Sequence, residues 1–372
     1  MAFTFIHTAD WQLGAQFGSL PIDIAARLQA ARLDAIDTIA GIALEKRASH
    51  VLVAGDVFDD VRPPQRLVGQ TLARLAKHRS LVWHFLSGNH DPATPGSVWD
   101  DVARAAPGPH IRLHLKSEPA EIAPGVVLLP APLLARAMSQ DPTAYMDRVE
   151  TPPGTLRIGM AHGSVQNFSS EGEAAIPIAV DRAAAARLDY LALGDWHGTV
   201  KINPRTWYSG TPEPDRFRDN SAGQVLAVTV DRSGAVPVVE SIAAGAYSWR
   251  QHALDIASAA GIDGLIESIS AGSARADRML LKLAVTGRVP LSDGASLEQS
   301  LDRLAATVAY LALDRSLLAL STEAADIEAL GAGAIATVAA LLAEKAHAAD
   351  PQQQLIANRA LQLLTRFAGA AS

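Results

Sequence analysis

Leu81-Val82-Trp83-His84-Phe85-Leu86-Ser87-Gly88-Asn89-His90-Asp91 is an apolar run that ends abruptly in a glycine and three polar side chains. A short run of bulky apolar residues bounded by turn formers reads as a buried strand. The polar group then falls at the strand's carboxyl end, where sites assemble in open α/β sheets. Glycine there lets the backbone turn sharply and a ligand approach closely. The same arrangement recurs four more times. His7-Thr8-Ala9-Asp10-Trp11-Gln12 closes a strand at Phe3–His7, and Gly55-Asp56 follows one at Val51–Ala54. Ala161-His162-Gly163 closes a strand at Leu156–Ala161, and Gly194-Asp195-Trp196-His197-Gly198 follows one at Tyr190–Leu193. Any one of these alone reads as a turn or a cap, because Asn and Asp bond their own backbone. Five in order across one region read as a site. Asp, Asn, Gln and His make a coherent ligand set: hard divalent cations take oxygen, and Mn, Fe, Co and Zn also accept imidazole.

Outward from these segments, strands and helices alternate. Ile24, Leu28, Ala35, Ile36, Ile39 and Ala43 recur at helical spacing and predict a helix over about 23–47. Pro63-Pro64 marks the first turn of another. Further strands fall at Ile111–Leu115, Val126–Leu129, Trp207–Ser209, Val225–Val230 and Val238–Ile242. Beyond Trp249 the pattern predicts a small β-α-β-like unit: strands at Arg250–Ile256, Met279–Val285 and Ser316–Leu320, helices at Gly264–Ile269 and Leu297–Leu311. Two terminal helices follow, one with Ile335, Val338, Leu341 and Leu342 in a stripe, one with Ile356, Ala360, Leu363, Leu364 and Phe367. The expected divisions are 1–245, 246–322 and 323–372.

Composition bounds the chemistry. The chain has 372 residues, beyond the size at which one hydrophobic core stops growing, so more than one domain is expected. With 49% apolar and 19% charged residues it is no disordered chain. It has no cysteine, which excludes disulfides, thiolate metal sites and a cysteine nucleophile. The first residues lack the basic flank of a signal peptide, and no apolar stretch reaches the roughly 18 residues of a membrane span. A soluble, cytoplasmic protein is expected. The net charge of −7 weighs against a nucleic-acid partner, whose binders carry a basic face. No Walker loop, His-Glu-x-x-His or Gly-x-Ser-x-Gly occurs, so ATPase, zinc-protease and serine-hydrolase readings have no support.

The order Asp-x-His, Gly-Asp, Gly-Asn-His-Asp, His, Gly-His-x-His is the signature of calcineurin-like metallophosphoesterases, and residues 3–240 resemble it. His7-Thr8-Ala9-Asp10-Trp11 and Trp207-Tyr208-Ser209-Gly210-Thr211-Pro212-Glu213-Pro214 resemble the SbcD-type DNA-repair nuclease subunits within that family. The resemblance implies a four-layer α-β-β-α sandwich of mixed sheets, a small α/β capping domain and C-terminal helices. It implies two divalent cations: Asp10 and His197 on the first, with Gln12 nearby, Asp56 bridging, and Asn89, His162 and Asp195 on the second. His90 then acts on the leaving oxygen, with His90 and Asp56 as the catalytic pair. It implies a metal-dependent phosphodiesterase cutting DNA beside an SbcC-like coiled-coil ATPase docked on the terminal helices, and it admits a homodimer. The alternatives are a phosphoesterase for small molecules, such as cyclic nucleotides or phosphomonoesters, and a non-catalytic binding module. Two positions depart from the signature. Gln12 stands where the first motif has His, and Asp195 where the last has its first His. Both changes move the site toward oxygen ligation, which favours Mn²⁺, with Mg²⁺ as the alternative, over Zn²⁺.

Arg62, Arg205 and Arg216, with Lys201 and Arg218, fall in loops expected to rim the site, where they read evenly as phosphate contacts and as solvated surface. Trp11 and Trp196 read equally as base-stacking platforms and as core. His7 reads as a packed strand histidine, with orientation of a ligand as the alternative. His50, His78, His84, His110 and His114 read as packing or surface residues, and His252 and His347 have no evident use.

Overall fold

The computed structural model describes residues 2–105, 108–165, 176–272, 275–321, 333–346 and 350–369. It divides into two compact units, Met1–Ser248 and Trp249–Ser372.

The first unit is built on two six-stranded sheets. In chain order its strands are β1 (Phe3–Thr8), β2 (His50–Val53), β3 (Val82–Leu86), β4 (Ile111–His114), β5 (Ala120–Ala123), β6 (Val126–Ala131) and β7 (Leu156–His162). There follow β8 (Ser164–Val165), β9 (Pro177–Ile178), β10 (Tyr190–Gly194), β11 (Val200–Asn203), β12 (Thr206–Tyr208), β13 (Gln224–Val230) and β14 (Val238–Ala243). Sheet one runs β14-β13-β1-β2-β3-β4 and sheet two β11-β12-β10-β7-β6-β5, while β8 and β9 pair separately. In sheet one β1, β2, β3 and β4 are parallel, and β13 and β14 add antiparallel edges. In sheet two β6, β7, β10 and β12 are parallel and β5 and β11 are antiparallel. Strand side chains alternate between faces. Val51, Val53, Trp83 and Phe85 therefore meet the helices α1 (Ile22–Glu45), α2 (Gln65–Leu75) and α3 (Val98–Arg104). Phe5, Leu52 and Leu86 meet Leu128, Ile158, Met160 and Tyr190 of sheet two instead. The outer face of sheet two buries Leu129, Ala161, Leu191 and Leu193 under a thin fourth layer with α4 (Arg182–Ala185) and a 3₁₀ turn at Ala144–Arg148. The layers make the expected α-β-β-α sandwich of mixed sheets.

The second unit carries β15 (Ser248–Ile256), α5 (Ala260–Gly272), β16 (Met279–Pro290), α6 (Gly294–Thr307) and β17 (Tyr310–Ser321), in a sheet ordered β15-β16-β17. Ile262, Leu265, Ile269, Leu297, Leu301 and Leu304 bury the two helices with the strand residues Leu281 and Leu283. The helix expected to reach Leu311 stops at Thr307, because Tyr310 and Leu311 pair with Leu280 and Leu281 as strand. Apolar spacing alone could not tell the last helical turn from the first strand residues. The helices α7 (Ala334–Lys345) and α8 (Pro351–Gly369) pack on each other, and Ile335, Val338, Leu341, Ile356 and Leu363 stay exposed. His347, the side chain of Phe367 and residues 322–332, which include the expected start of the terminal segment, lie outside the described residues. Among the described residues no helix is long and apolar enough to cross a membrane.

Candidate metal centre

Parallel strands bring β1, β2, β3, β7 and β10 to one edge with their carboxyl ends together. The chain leaves these strands through strained turns. Asp10, Gln12, Asp56 and Asp195 all have positive φ, at 53°, 47°, 51° and 105°. A non-glycine residue there costs roughly 1–3 kcal/mol and persists only where its surroundings hold it. They do hold it. The N–H groups of Asp10, Gln12 and Leu13 donate to the carbonyls of Gly55, Asp56 and Val57. Asp91, fully buried, accepts from the N–H groups of Val57 and Phe58 on one oxygen and from Gly88 N–H on the other. Burial, and then Asp56, push its carboxyl well above the usual range, against the Gly88 and Phe58 donors and His162. At Gly88 any Cβ would collide with Asp56 Oδ1, so only glycine lets the third loop close on the second.

Within this frame one oxygen each of Asp10 and Asp56 and one nitrogen of His162 lie within 4.8 Å of one another, all buried. His162 Nε2 is 3.5 Å from Asp56 Oδ1, 2.8 Å from Asn89 Oδ1 and 4.0 Å from Asp195 Oδ1. Its Nδ1 donates to the Ala54 carbonyl at 2.9 Å. Asp10 Oδ1 accepts the Asp195 N–H at 3.0 Å. Gln12 Nε2 donates to Asp56 Oδ2 at 2.8 Å, and Ser164 Oγ donates to Asp195 Oδ2 at 2.7 Å. Two buried oxygens in this pocket, Asp10 Oδ2 and Gln12 Oε1, have no hydrogen-bond partner. Burying such acceptors unpaired is costly. Divalent cations fit the donors present, since they take carboxylate and amide oxygens with imidazole. The charge balance agrees. Burial raises the Asp10 carboxyl to about 6 even with His197 and His162 pulling it down. Burial alone would lower His162, but Asp56, Asp10 and Asp195 overcome it and hold the ring at about 9.

Two imidazoles are held by carboxylates. Asp59, with its carbonyl 3.3 Å and its Oδ1 3.5 Å from His90 Nδ1, is the main cause raising His90 to about 10; burial opposes it and Asp56 adds to it. His90 is therefore cationic at neutral pH. Its side chain is one-third exposed and its Nε2 lies 4.0 Å from Asp56 Oδ2, while its N–H donates to Asp56 Oδ1. His197 Nδ1 lies 2.6 Å from Asp215 Oδ2. Burial would lower His197 and raise Asp215, but their mutual contact reverses both directions.

Asp10, Gln12, Asp56, Asn89, His90, His162 and Asp195 thus converge through direct contacts, and His197 faces Asp10 through the charge interaction between them. The arginines divide. Arg216 grips Asp215 beside His197, and Arg62 is exposed in the loop after Asp59. Arg205 corrects the expectation of a phosphate contact. It sits just before β12, at the amino end of the parallel strands, and donates to the carbonyls of Asp189, Gly234 and Ala235. An arginine in a loop has no sequence mark for the end of the sheet it occupies. Trp11 is core, edge-on to Trp83 and Phe85. Trp196 packs on the outer core of sheet two, with the Arg218 guanidinium 4.5 Å above its ring. His7 spans the sheets, bonding Tyr190 Oη and the Leu193 carbonyl. Sequence reading quoted Asp91 inside Gly-Asn-His-Asp without a role of its own, and it missed Asp59, Asp215 and the buried Arg32, which donates to the Trp11 and Glu213 carbonyls. Asp59 and Asp91 lie within three residues of assigned ones, a signal that was present; Asp215 and Arg32 had none.

The calcineurin-like phosphoesterase family matches this chain over residues 3–170. No curated protein is similar. Among solved structures the chain is similar to TT1561 of Thermus thermophilus, at 11% identity and a TM-score of 0.41, over 66% of this chain and 100% of that one. It is similar to a dimetal phosphatase from Danio rerio at 13% identity and a TM-score of 0.38, over 65% of this chain and 98% of that one.

Proposed function

We propose that this chain, whose residues 3–170 carry the calcineurin-like phosphoesterase module of hydrolases acting on phosphoester bonds, is a metal-dependent phosphodiesterase of the SbcD type that cuts DNA. The observation that carries the reading is the pocket itself. Asp10, Asp56, Asn89, His162 and Asp195 meet at strand tips around buried, unpartnered oxygens, beside a cationic His90.

Asp10, Gln12, Asp56 and His197 would hold one cation, and Asp56, Asn89, His162 and Asp195 the other. Such cations, when bound, neutralise phosphoryl oxygens and activate water for in-line attack. The chain's own residues do the rest. Asp91 and the crossed loop hydrogen bonds fix the carboxylates, so little reorganisation accompanies reaction. His90, kept protonated by Asp59, donates to the departing oxygen as a general acid. Mn²⁺ is the proposed cation, since five of the seven ligands offer oxygen. The exposed apolar stripes of α7 and α8 support an SbcC-like ATPase as the partner docked there.

The chain's acidic balance, 39 acidic against 32 basic residues, favours a second reading, a phosphoesterase for small phosphodiesters. One assay separates the two. The purified chain is incubated with Mn²⁺ or Mg²⁺ and linear, hairpin or single-stranded DNA, beside a generic phosphodiester and cyclic nucleotides. DNA cleavage that disappears in His90→Ala supports the nuclease. Cleavage of the small esters alone supports the second reading. No hydrolysis with any cation, with or without the ATPase, overturns both.

A further inference from the structure

Asp215 lies in the loop after β12, yet its carboxylate reaches back to His197 behind β10. Its Oδ2 is 2.6 Å from His197 Nδ1, and both side chains are more than four-fifths buried. Arg216 closes on the same carboxylate, Nε to Oδ1 and Nη2 to Oδ2, each at 3.1 Å, and its Nη2 also lies 3.5 Å from His197 Nδ1, a longer contact than the 2.6 Å to Asp215 that sets the ring. A carboxylate in that grip only accepts hydrogen bonds. The Nδ1 of His197 therefore carries its proton, and the Nε2 lone pair is left for a ligand. His162 is oriented the same way by a neutral acceptor, the Ala54 carbonyl. The difference is charge: an anion behind an imidazole makes the ring a stronger donor than an amide carbonyl does. In the assignment proposed above, His197 shares its cation with Gln12, which offers only a neutral amide.

We propose that Asp215 is a positioning residue that fixes the tautomer and rotation of His197, so that Nε2 ligates the cation shared with Asp10 and compensates for the neutral Gln12. This rests on the reading of the pocket as a two-cation site.

The full-length chain, Asp215→Asn and Asp215→Glu are titrated with Mn²⁺ by calorimetry and by electron paramagnetic resonance, with thermal midpoints recorded. The same chains, labelled with ¹⁵N-histidine and loaded with Cd²⁺, are read by NMR for cadmium–nitrogen coupling. The wild-type chain is expected to take two Mn²⁺, to show coupling at His197 Nε2, and to show an Nδ1 proton slow to exchange with water. In Asp215→Asn one Mn²⁺ should weaken by about 10–100-fold and the other stay unchanged. Asp215→Glu should recover part of the loss. A merely structural role would lower the midpoint without singling out one cation or moving the Nε2 coupling. Equal binding of both cations in Asp215→Asn overturns this proposal alone, and so does wild-type coupling at Nδ1. If Asp215→Asn does not fold, the wild-type coupling decides. A wild-type chain that takes up neither Mn²⁺ nor Cd²⁺ overturns the two-cation reading and this proposal with it.

Discussion

Two groups of histidines in the first unit have opposite electrostatics. One group lies along the strands. His50 Nδ1 meets His84 Nε2 at 3.0 Å, and His84 Nδ1 meets His114 Nε2 at 2.9 Å, in a stack crossing β2, β3 and β4. Burial pushes His84 down to about 2 and His114 to about 4; the adjoining imidazoles add to it at His84, and Arg112 adds to it at both. Nearby, burial takes His7 to about 3. The other group stands at the strand tips, where His90 and His162 are held up at about 10 and about 9. Depth does not separate them, because His7 and His162 are equally inaccessible. The neighbours separate them: Asp56, Asp10, Asp195 and Asp59 face the tips, and no carboxylate is among the causes that shift the ladder. A buried histidine keeps its proton only where neighbouring anions outweigh its desolvation.

Breaking the tip group should cost most. His90→Ala removes the proton donor without removing a proposed ligand. Turnover is expected to fall about 10²–10⁴-fold with Mn²⁺ affinity unchanged, measured as kcat beside calorimetry. Turnover within a factor of two of wild type would remove His90 from the chemistry. Asp91→Ala tests the frame instead. It leaves the N–H groups of Val57, Phe58 and Gly88 without their acceptor in a buried loop. The expected loss is about 3 kcal/mol of unfolding free energy in urea, since unmet buried donors cost about 1–3 kcal/mol each. An unchanged midpoint would show that the loops hold their strained turns without Asp91.

The same contrast explains what was legible in the sequence. Strand tips announce themselves, because glycine beside Asp, Asn and His interrupts an apolar run; Asp56, Asn89, His90 and His162 were readable for that reason. The parallel core of β1, β2 and β3 was equally plain from Phe5, Leu52 and Phe85 in their runs. The short strands β5 and β11 were not, for their half-exposed residues make no apolar run. Nothing in one dimension marks which carboxylate will face a given imidazole. Asp215 is 18 residues from His197 and meets it only because β11 and β12 turn the chain back. His84 and His90 are six residues apart and end in opposite environments. Pattern finds the ligands; only the fold finds the groups that set their charge.

The smallest effect is the most direct test of that division, since the two groups predict pH slopes of opposite sign in the cation-free chain. The ladder imidazoles have folded values below the unfolded one of about 6.5. Unfolding then takes up protons as pH falls, so their contribution is complete above about pH 6.5 and is lost toward pH 4, His114 lying at about 4 and His84 lower. His162, raised to about 9, releases its proton on unfolding. Its contribution is complete below about pH 6.5 and is lost as pH rises to about 9. Each slope is at most about 1.4 kcal/mol per pH unit for one net proton. Asp10, raised to about 6, and Asp91 pull against the ladder at acid pH. The share of His84 is therefore the difference between wild type and His84→Leu, in urea unfolding from pH 4 to 7. His90, raised to about 10, adds a slope of the same sign. Adding Mn²⁺ should remove the share of His162 and leave that of His90, because an imidazole sheds its proton to bind a cation and His90 is not a proposed ligand. The difference between wild type and His84→Leu at acid pH should survive that addition. An alkaline slope that saturating Mn²⁺ leaves undiminished in His90→Ala would mean that His162 keeps its proton and that the two groups differ in charge without differing in role.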